Sequence, residues 1–453
     1  MRTPYLLLFL LALPGVTATA DEASPAAAQL GGVQFTPLGA ERAGNAAGSI
    51  PPWEGGITAP PADYVPGEIE VDPFPDDAVL YTITADNLAA YADKLSPGQQ
   101  ALLRAHPGSW YMPVYRTRRS ASYPDWVYKA VEENARTATL LTAGKGGVAG
   151  ANVSSPFPIP ASGVEVVWNH NLRWRGIRVQ RSFGQAAVTL RGHYTVTLQL
   201  QDFAFPYAAH PEDEIRTEFP NMLLALKSKT IAPGLISGDG GLVLEPIDQT
   251  HEPRKSWRYY SNLRRILRTP YLANAYPAAD TDNLRTVDEF DMFNGSPSEY
   301  DWELKGKQEL YIPYNAYRLH AQGLEYDDIV NKQHINPELT RYELHRVWVV
   351  EGTLKPEKKH IYGRRVFYVD EDSWQIAVAD NYDLEGNLWR TSEAHALNYY
   401  EVPVLWSTLE VYYDLKEGRY LVSGMDNRRN PYRFTDSADP REFSPNALNY
   451  YIR

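Results

Sequence analysis

Cysteine is absent from all 453 residues. That excludes disulfides, thiolate metal sites, a cysteine nucleophile and the lipid-modified N-terminal cysteine of a bacterial lipoprotein. Folding therefore rests on core burial, for which the chain is long enough. Long uncharged apolar runs are missing beyond the N-terminal segment, and the mean hydropathy is −0.43, so no later stretch is expected to hold the chain in a membrane. Basic residues are outnumbered, 44 Lys and Arg against 56 Asp and Glu for a net charge of −12, which argues against nucleic acid as a partner. Methionine is scarce at 5, whereas Tyr reaches 31 and Trp 11. That balance favours twisted sheet with aromatic faces over a helical bundle.

Several catalytic signatures are also missing. Ser237 lies between Gly234 and Gly240, but at the wrong offset for Gly-x-Ser-x-Gly. Gly144-Lys145-Gly146-Gly147 does not make a P-loop, and Gly238-Asp239-Gly240-Gly241 lacks the third spaced glycine of a dinucleotide turn. His251-Glu252 has no second His four residues on, and Pro253 opposes a helix there. His345 shares the polar face of its strand with Arg341 and Glu343 and reads as a structural histidine. No metal and no cofactor are expected.

What is present begins with an export signal. Arg2 gives a positive start, Tyr5 to Leu13 an apolar stretch, and Ala18-Thr19-Ala20 a small-x-small cleavage site. Residues 1–20 are thus expected to be removed, leaving Asp21 as the mature terminus and a net charge one unit more negative. From there to about residue 80 the chain is rich in Ala, Gly and Pro without sustained periodicity, which predicts an extended arm. Residues 81–453 are expected to form a single domain.

Thr84 is placed to cap a short helix carrying Leu88, Tyr91, Ala92 and Leu95; Ser96-Pro97 opens a second, closed by His106-Pro107. A longer helix is predicted from Pro124, with Val127, Ala130, Val131, Ala138 and Leu141 on one side. After the glycines of 144–150, Val188 to Asp202 alternates apolar and polar residues and predicts one long two-faced strand. Further strands follow over Tyr342–Val350, Val366–Val369, Trp374–Val378, Leu409–Leu415 and Tyr420–Val422, with turns at Asp370–Ser373 and Lys416-Glu417-Gly418. Such a meander curls toward a barrel, and with the early helices the fold class is α+β.

Acidic residues cluster at Asp280, Asp282, Asp288, Glu289 and Asp291, and at Asp370, Glu371 and Asp372. Two carboxylates about 5–9 Å apart can hydrolyse a glycoside, but Asp is a routine turn former, and solvated turns are the expectation. The basic run Arg254-Lys255 to Arg258, Arg264-Arg265 and Arg268, interleaved with Trp257, Tyr259 and Tyr260, is expected to pair with the acids of the following segment rather than face an anionic head group.

A set of stretches in one order carries a resemblance. They are Leu38–Asn45, Ile50–Gly56, Pro156–Pro160, Trp168–His170, Asp291–Gly295, Tyr311–Asn315, Arg341–Glu351 and Asp370–Trp374. Through them much of the chain resembles the exported Gram-negative family known as domain of unknown function 1329. The order Trp257–Tyr260, Arg264-Arg265, Asp288–Phe293 and Asp370–Trp374 is similar, more weakly, to periplasmic lipoprotein carriers and outer-membrane lipoprotein-sorting proteins. That second likeness implies a large curled antiparallel sheet, an incomplete barrel covered by helices, whose apolar face holds a lipid-like ligand. Neither likeness brings catalytic residues, so a non-enzymatic periplasmic carrier is expected. Its partners are a hydrophobic small molecule or lipid and, from the family's company, an efflux-type envelope transporter or an outer-membrane protein. The residues expected to line its interior are Tyr194, Val196, Leu198, Trp348, Trp374 and Ile376. The alternatives are a carbohydrate-active hydrolase using the paired carboxylates and an outer-membrane assembly or scaffold factor.

Overall fold

The computed structural model describes residues 29–234, 236–269 and 274–452. The expected export signal lies outside the described residues. Strands β1 (Tyr81–Ile83) and β2 (Met112–Val114) flank helix α1 (Pro97–Ala105). Helix α2 (Asp125–Thr137), the small pair β3 (Thr139–Leu140) and β4 (Val148–Ala149), and α3 (Gly163–Leu172) follow. The chain then runs through β5 (Arg178–Val188), β6 (Thr197–Ala204), α4 (Glu214–Glu218), β7 (Met222–Ala232), β8 (Gly240–Pro246), β9 (Lys255–Tyr260) and β10 (Arg265–Thr269). Next come β11 (Tyr300–Pro313), α5 (Tyr317–His320) and α6 (Tyr326–Ile329). The meander is β12 (Tyr342–Leu354), β13 (Arg364–Asp370), β14 (Ile376–Tyr382), β15 (Leu388–Tyr399), β16 (Val404–Asp414) and β17 (Arg419–Met425), with β18 (Arg433–Thr435) and α7 (Pro445–Ile452) after it.

All strands but β3 and β4 join one sixteen-stranded sheet, ordered β1-β2-β12-β13-β14-β15-β16-β17-β5-β6-β7-β8-β9-β10, with β11 on β12 and β18 on β5. Pairing of β17 with β5 (Val422 opposite Ala186) welds the late meander to the earlier one. The sheet curls without closing, and the fold is α+β, as the periodicities predict.

Local chemistry explains most elements. Ser96 caps α1 in a capping box with Gln99, and Pro97 takes the first helical position. In α2 the buried Val127 and Val131 share one side, but the helix ends at Thr137, leaving Ala138 and Leu141 outside it. The helix predicted over Leu88–Leu95 is instead two 3₁₀ turns, Leu88–Ala90 and Ala92–Lys94, broken at Tyr91. So short a segment gains too few bonds to offset helix nucleation, and Thr84 donates its N–H to Asn87 rather than capping.

The long strand expected over Val188–Asp202 is corrected to a hairpin. Val188 ends β5, Thr197 starts β6, and Gly192 N–H donates to Thr189 O at 2.8 Å in the turn between them. Gly192 sits at φ 87°, a left-handed conformation that lets the chain reverse there. The later meander contains the five strands of the reading, with Trp374 in the turn before β14 rather than in the strand, and adds β15, which the reading lacks; its middle is buried on both faces, and every residue of β14 and β16 is buried.

Residues 30–80 hold no α-helix and no strand beyond an isolated bridge between Phe35 and Glu41. They lie against the sheet through specific bonds. Leu38 O accepts from the Trp374 indole at 3.2 Å, and Ile57 N–H donates to Ser120 O at 2.9 Å. Gly39, at φ 86°, packs so tightly that a Cβ there would stand 1.9 Å from Pro158 O.

The firmest anchor is ionic. His320, fully buried, bonds Glu70 through Nε2 and Asp426 through Nδ1, each at 2.9 Å. Burial opposes the charged ring, but the Asp426 and Glu70 carboxylates outweigh it and push the imidazole up to about 10. A raised folded pKa gives stability that is full below the unfolded value of about 6.5 and is lost as pH rises through about 10. Unfolding free energy is therefore expected to fall by on the order of 3 kcal/mol between pH 7 and pH 10.5. Urea melts should show a shallower fall for His320→Gln, which starts less stable at pH 7; parallel curves for the two proteins would contradict this anchor.

Candidate functional site

The six residues expected to line one interior fall in three places. Trp348, Trp374 and Ile376 belong to a filled cluster with Val166, Phe293 and Phe367, the two indoles stacked at 6.3 Å. Trp374 is wholly buried. Tyr194 and Val196 pack on a second cluster, around Ala186, Val188 and Ile329, with the Tyr194 hydroxyl bonded to Asp327. Leu198 stands in β6 opposite Gly184 of β5.

The acidic clusters are not solvated turns, with the exception of the exposed Asp280 and Asp282. Asp291 is buried and accepts from Arg173 at 2.6 Å, from Arg175, and from the Trp406 indole at 2.9 Å. Asp288 pairs with Arg365 at 2.6 Å. Burial opposes these charges, but the adjacent guanidiniums hold both carboxyls well below the usual range. Asp372 receives two bonds from Arg119, at 2.7 and 2.9 Å, and Glu371 meets Lys307 at 2.7 Å. Burial, then the Asp372 charge, raises the Asp370 carboxyl.

These pairings were invisible in sequence because each joins residues that are distant along the chain. Of the carboxylates proposed for glycoside hydrolysis, they leave Asp288, Asp291 and Asp372 engaged with arginines, whereas Asp370 is held by the Ser373 and Tyr314 hydroxyls. His345, Asp370 and Asp372 each bring a donor atom within 4.8 Å of the others, the outline of a metal-ligand triad. Arg119 occupies both oxygens of Asp372, and Glu343 takes His345 Nε2 at 3.3 Å, so a guanidinium already supplies the positive charge there.

Open space lies elsewhere, over the other wing of the sheet. A cavity of about 350 Å³ rests on one face of β6 to β9. The pleat explains its floor: Gln201 of β6 faces Ser228 of β7, which faces Gly241 of β8, and Leu226 of β7 faces Val243 of β8, which faces Ser256 of β9. Leu224, Leu226 and Val243 make it apolar, and the segment 277–294 roofs it with Ala278, Val287 and Phe290.

Polar groups ring this floor. Arg254 and Glu245, both buried, form an ion pair, while Arg254 Nη1 has no protein hydrogen-bond partner. Arg258 reaches Asp239 at 3.5 Å. The basic run thus pairs with acids of the preceding hairpin, correcting the expectation that it meets the following acidic segment. Arg264, Arg265 and Arg268 are exposed. A second hollow, of about 780 Å³, is walled by Leu200, Tyr432, Phe434 and Tyr451 together with Gln180, Arg181, Glu401 and Arg433. Its lining mixes apolar and polar side chains much as that of the cavity over β6 to β9 does.

None of the six residues expected to line an interior is on the wall of the cavity over β6 to β9. The available signal was the period-two pattern Leu224, Leu226, Ser228, Thr230 in the segment that forms β7. No helix among the described residues is long and apolar enough to cross a membrane.

Comparison with known proteins places the chain. The uncharacterised protein PA3922 of Pseudomonas aeruginosa is 44% identical over 450 residues, covering 99% of this chain and 97% of that one. A solved protein of family DUF1329 from Desulfovibrio piger is 14% identical, covers 60% of this chain and 92% of its own, and superposes with a TM-score of 0.40. A candidate outer membrane lipoprotein-sorting protein domain from Vibrio parahaemolyticus is 13% identical, with 63% and 98% covered and a TM-score of 0.42. The family model described as protein of unknown function (DUF1329) matches residues 82–449, and the chain belongs to that family.

Proposed function

We propose that this protein is a periplasmic, non-enzymatic carrier of a hydrophobic, lipid-like molecule, held in the cavity over β6 to β9. The observation that carries the reading is that cavity: about 350 Å³, with Leu224, Leu226 and Val243 on its floor, Ala278, Val287 and Phe290 over them, and polar side chains such as Gln201, Ser228, Arg254 and Arg285 between. Its size falls in the ordinary range of ligand sites, about 300–1,000 Å³. Residues 81–453 act in this reading as one binding unit, with the preceding segment strapped across the sheet, and an efflux-type transporter or outer-membrane protein as the delivery partner.

The energetics suit a shuttle. Each buried methylene contributes about 0.8 kcal/mol, so a chain of ~12 carbons gains on the order of 10 kcal/mol before association costs of roughly 4–15 kcal/mol. Net affinity is then modest, and the ligand can be released.

A tryptophan on the floor tests the site. Leu226 and Val243 are only partly buried and face open volume, so Leu226→Trp and Val243→Trp are expected to change stability by only about 1 kcal/mol. Both should weaken binding of a fluorescent fatty-acid probe at least about tenfold, as a filled site excludes the chain. Unchanged binding in the folded variants would place the ligand elsewhere and remove the proposal.

A further inference from the structure

Two arginines, Arg285 on the wall of the cavity and Arg181 beside it on the wall of the second hollow, form no ion pair among the described residues, neither having a carboxylate within 4.0 Å. Arg181 gives Nε to Gln201 at 2.9 Å and Nη1 to the Tyr432 hydroxyl at 3.4 Å, and lies among rings, 4.9 Å from Phe183, 5.0 Å from Phe203 and 5.2 Å from Trp406. Arg285 comes from the roofing segment, and its buried Nε has no hydrogen-bond partner. Both guanidiniums stand 5.9 Å from the Phe290 ring.

The space in front of them is polar. A small void of about 10 Å³, bounded by Arg181, Arg285, Gln185, Ser407 and Ser423, shares Gln201, Arg285 and Phe290 with the cavity over β6 to β9, and Arg181 and Gln201 with the second hollow. A void of that size holds about one water. Glu410 is the one carboxylate on its wall, already bonded by Ser407 at 2.9 Å and Tyr412 at 2.6 Å. Burial and the charge of Asp291 raise its carboxyl, against the lowering by Arg285 and Arg181. A cation kept from water with an idle donor is costly unless something anionic arrives.

We infer that the carried molecule is an anionic amphiphile, a single alkyl chain ending in a carboxylate or phosphate, whose head meets Arg285 and Arg181 at the shared wall while its chain lies over Leu224, Leu226 and Val243. The inference rests on the carrier reading and names the ligand class for that same cavity. Arg285 is then a specificity residue: it selects for charge, and the floor selects for chain.

Competition against the fluorescent probe separates the two ideas. Dodecanoate or dodecyl phosphate is expected to bind the full-length mature protein at least about tenfold tighter than 1-dodecanol, the value of one charge-assisted hydrogen bond. In Arg285→Gln the gap should close, with dodecanol unaffected; Arg285→Lys should keep part of it. Should the glutamine variant fail to fold, the wild-type comparison still decides. Equal affinities for charged and neutral chains would overturn the head-group assignment and leave the carrier standing. Acetate or inorganic phosphate competing as well as dodecanoate would show a bare anion site and overturn the amphiphile. Failure of every chain to bind would sink both proposals.

Discussion

Replacing Arg119 by alanine is expected to cost about 3–5 kcal/mol of folding stability, the usual penalty for stripping one partner from a buried ion pair. Arg119 is 2% exposed and closes both oxygens of Asp372. It also stands 3.5 Å from Glu371 and donates to the carbonyls of Glu41, Arg42 and Pro51. Its removal leaves Asp372 uncompensated beside Asp370 and Glu371 and cuts three bonds to the N-terminal segment. Urea unfolding at pH 7 should report the loss, and limited proteolysis should cut residues 30–60 sooner. A change under about 1 kcal/mol would mean that water, not Arg119, solvates these carboxylates.

Asp291→Asn should cost as much, for a reason that separates structure from catalysis. Asparagine tolerates the left-handed backbone at this position, φ 53°, so the substitution removes charge and little else. Arg173 and Arg175, both buried, then lose their shared counter-ion, and a loss of about 3–5 kcal/mol is expected from thermal or urea melts. Were Asp291 one of a hydrolase pair, the variant would instead keep its stability and lose turnover on a glycan panel. A stable, inactive Asp291→Asn would therefore restore the hydrolase reading.

Periodicity made the later half of the fold legible. Strands β12, β13, β14, β16 and β17 announce themselves because β-branched and aromatic residues alternate between turns such as Lys416-Glu417-Gly418; β15 escaped because its buried residues include Arg390, Glu393, His395 and Asn398, which hide the apolar rhythm. The Val188–Asp202 segment misled because its alternation runs on through the turn, where Leu190 and Tyr194 keep the rhythm while the chain reverses at Gly192. Charge was harder still. Asp370–Asp372 has the composition of a solvated turn, and only the fold shows that Arg119 reaches it from 253 positions away. The cavity escaped because its walls are half polar: Gln201, Ser228 and Ser256 share a face with Leu226 and Val243, and sequence alone does not show that this face stays unfilled.

The decisive observation is what travels with the protein. Purified from its native host and examined by native mass spectrometry, wild type is predicted to carry an added mass that organic extraction releases as an alkyl-chain compound, and Leu226→Trp is predicted to carry none. Wild type emerging at its bare polypeptide mass, and staying so after incubation with fatty acids, would contradict ligand carriage.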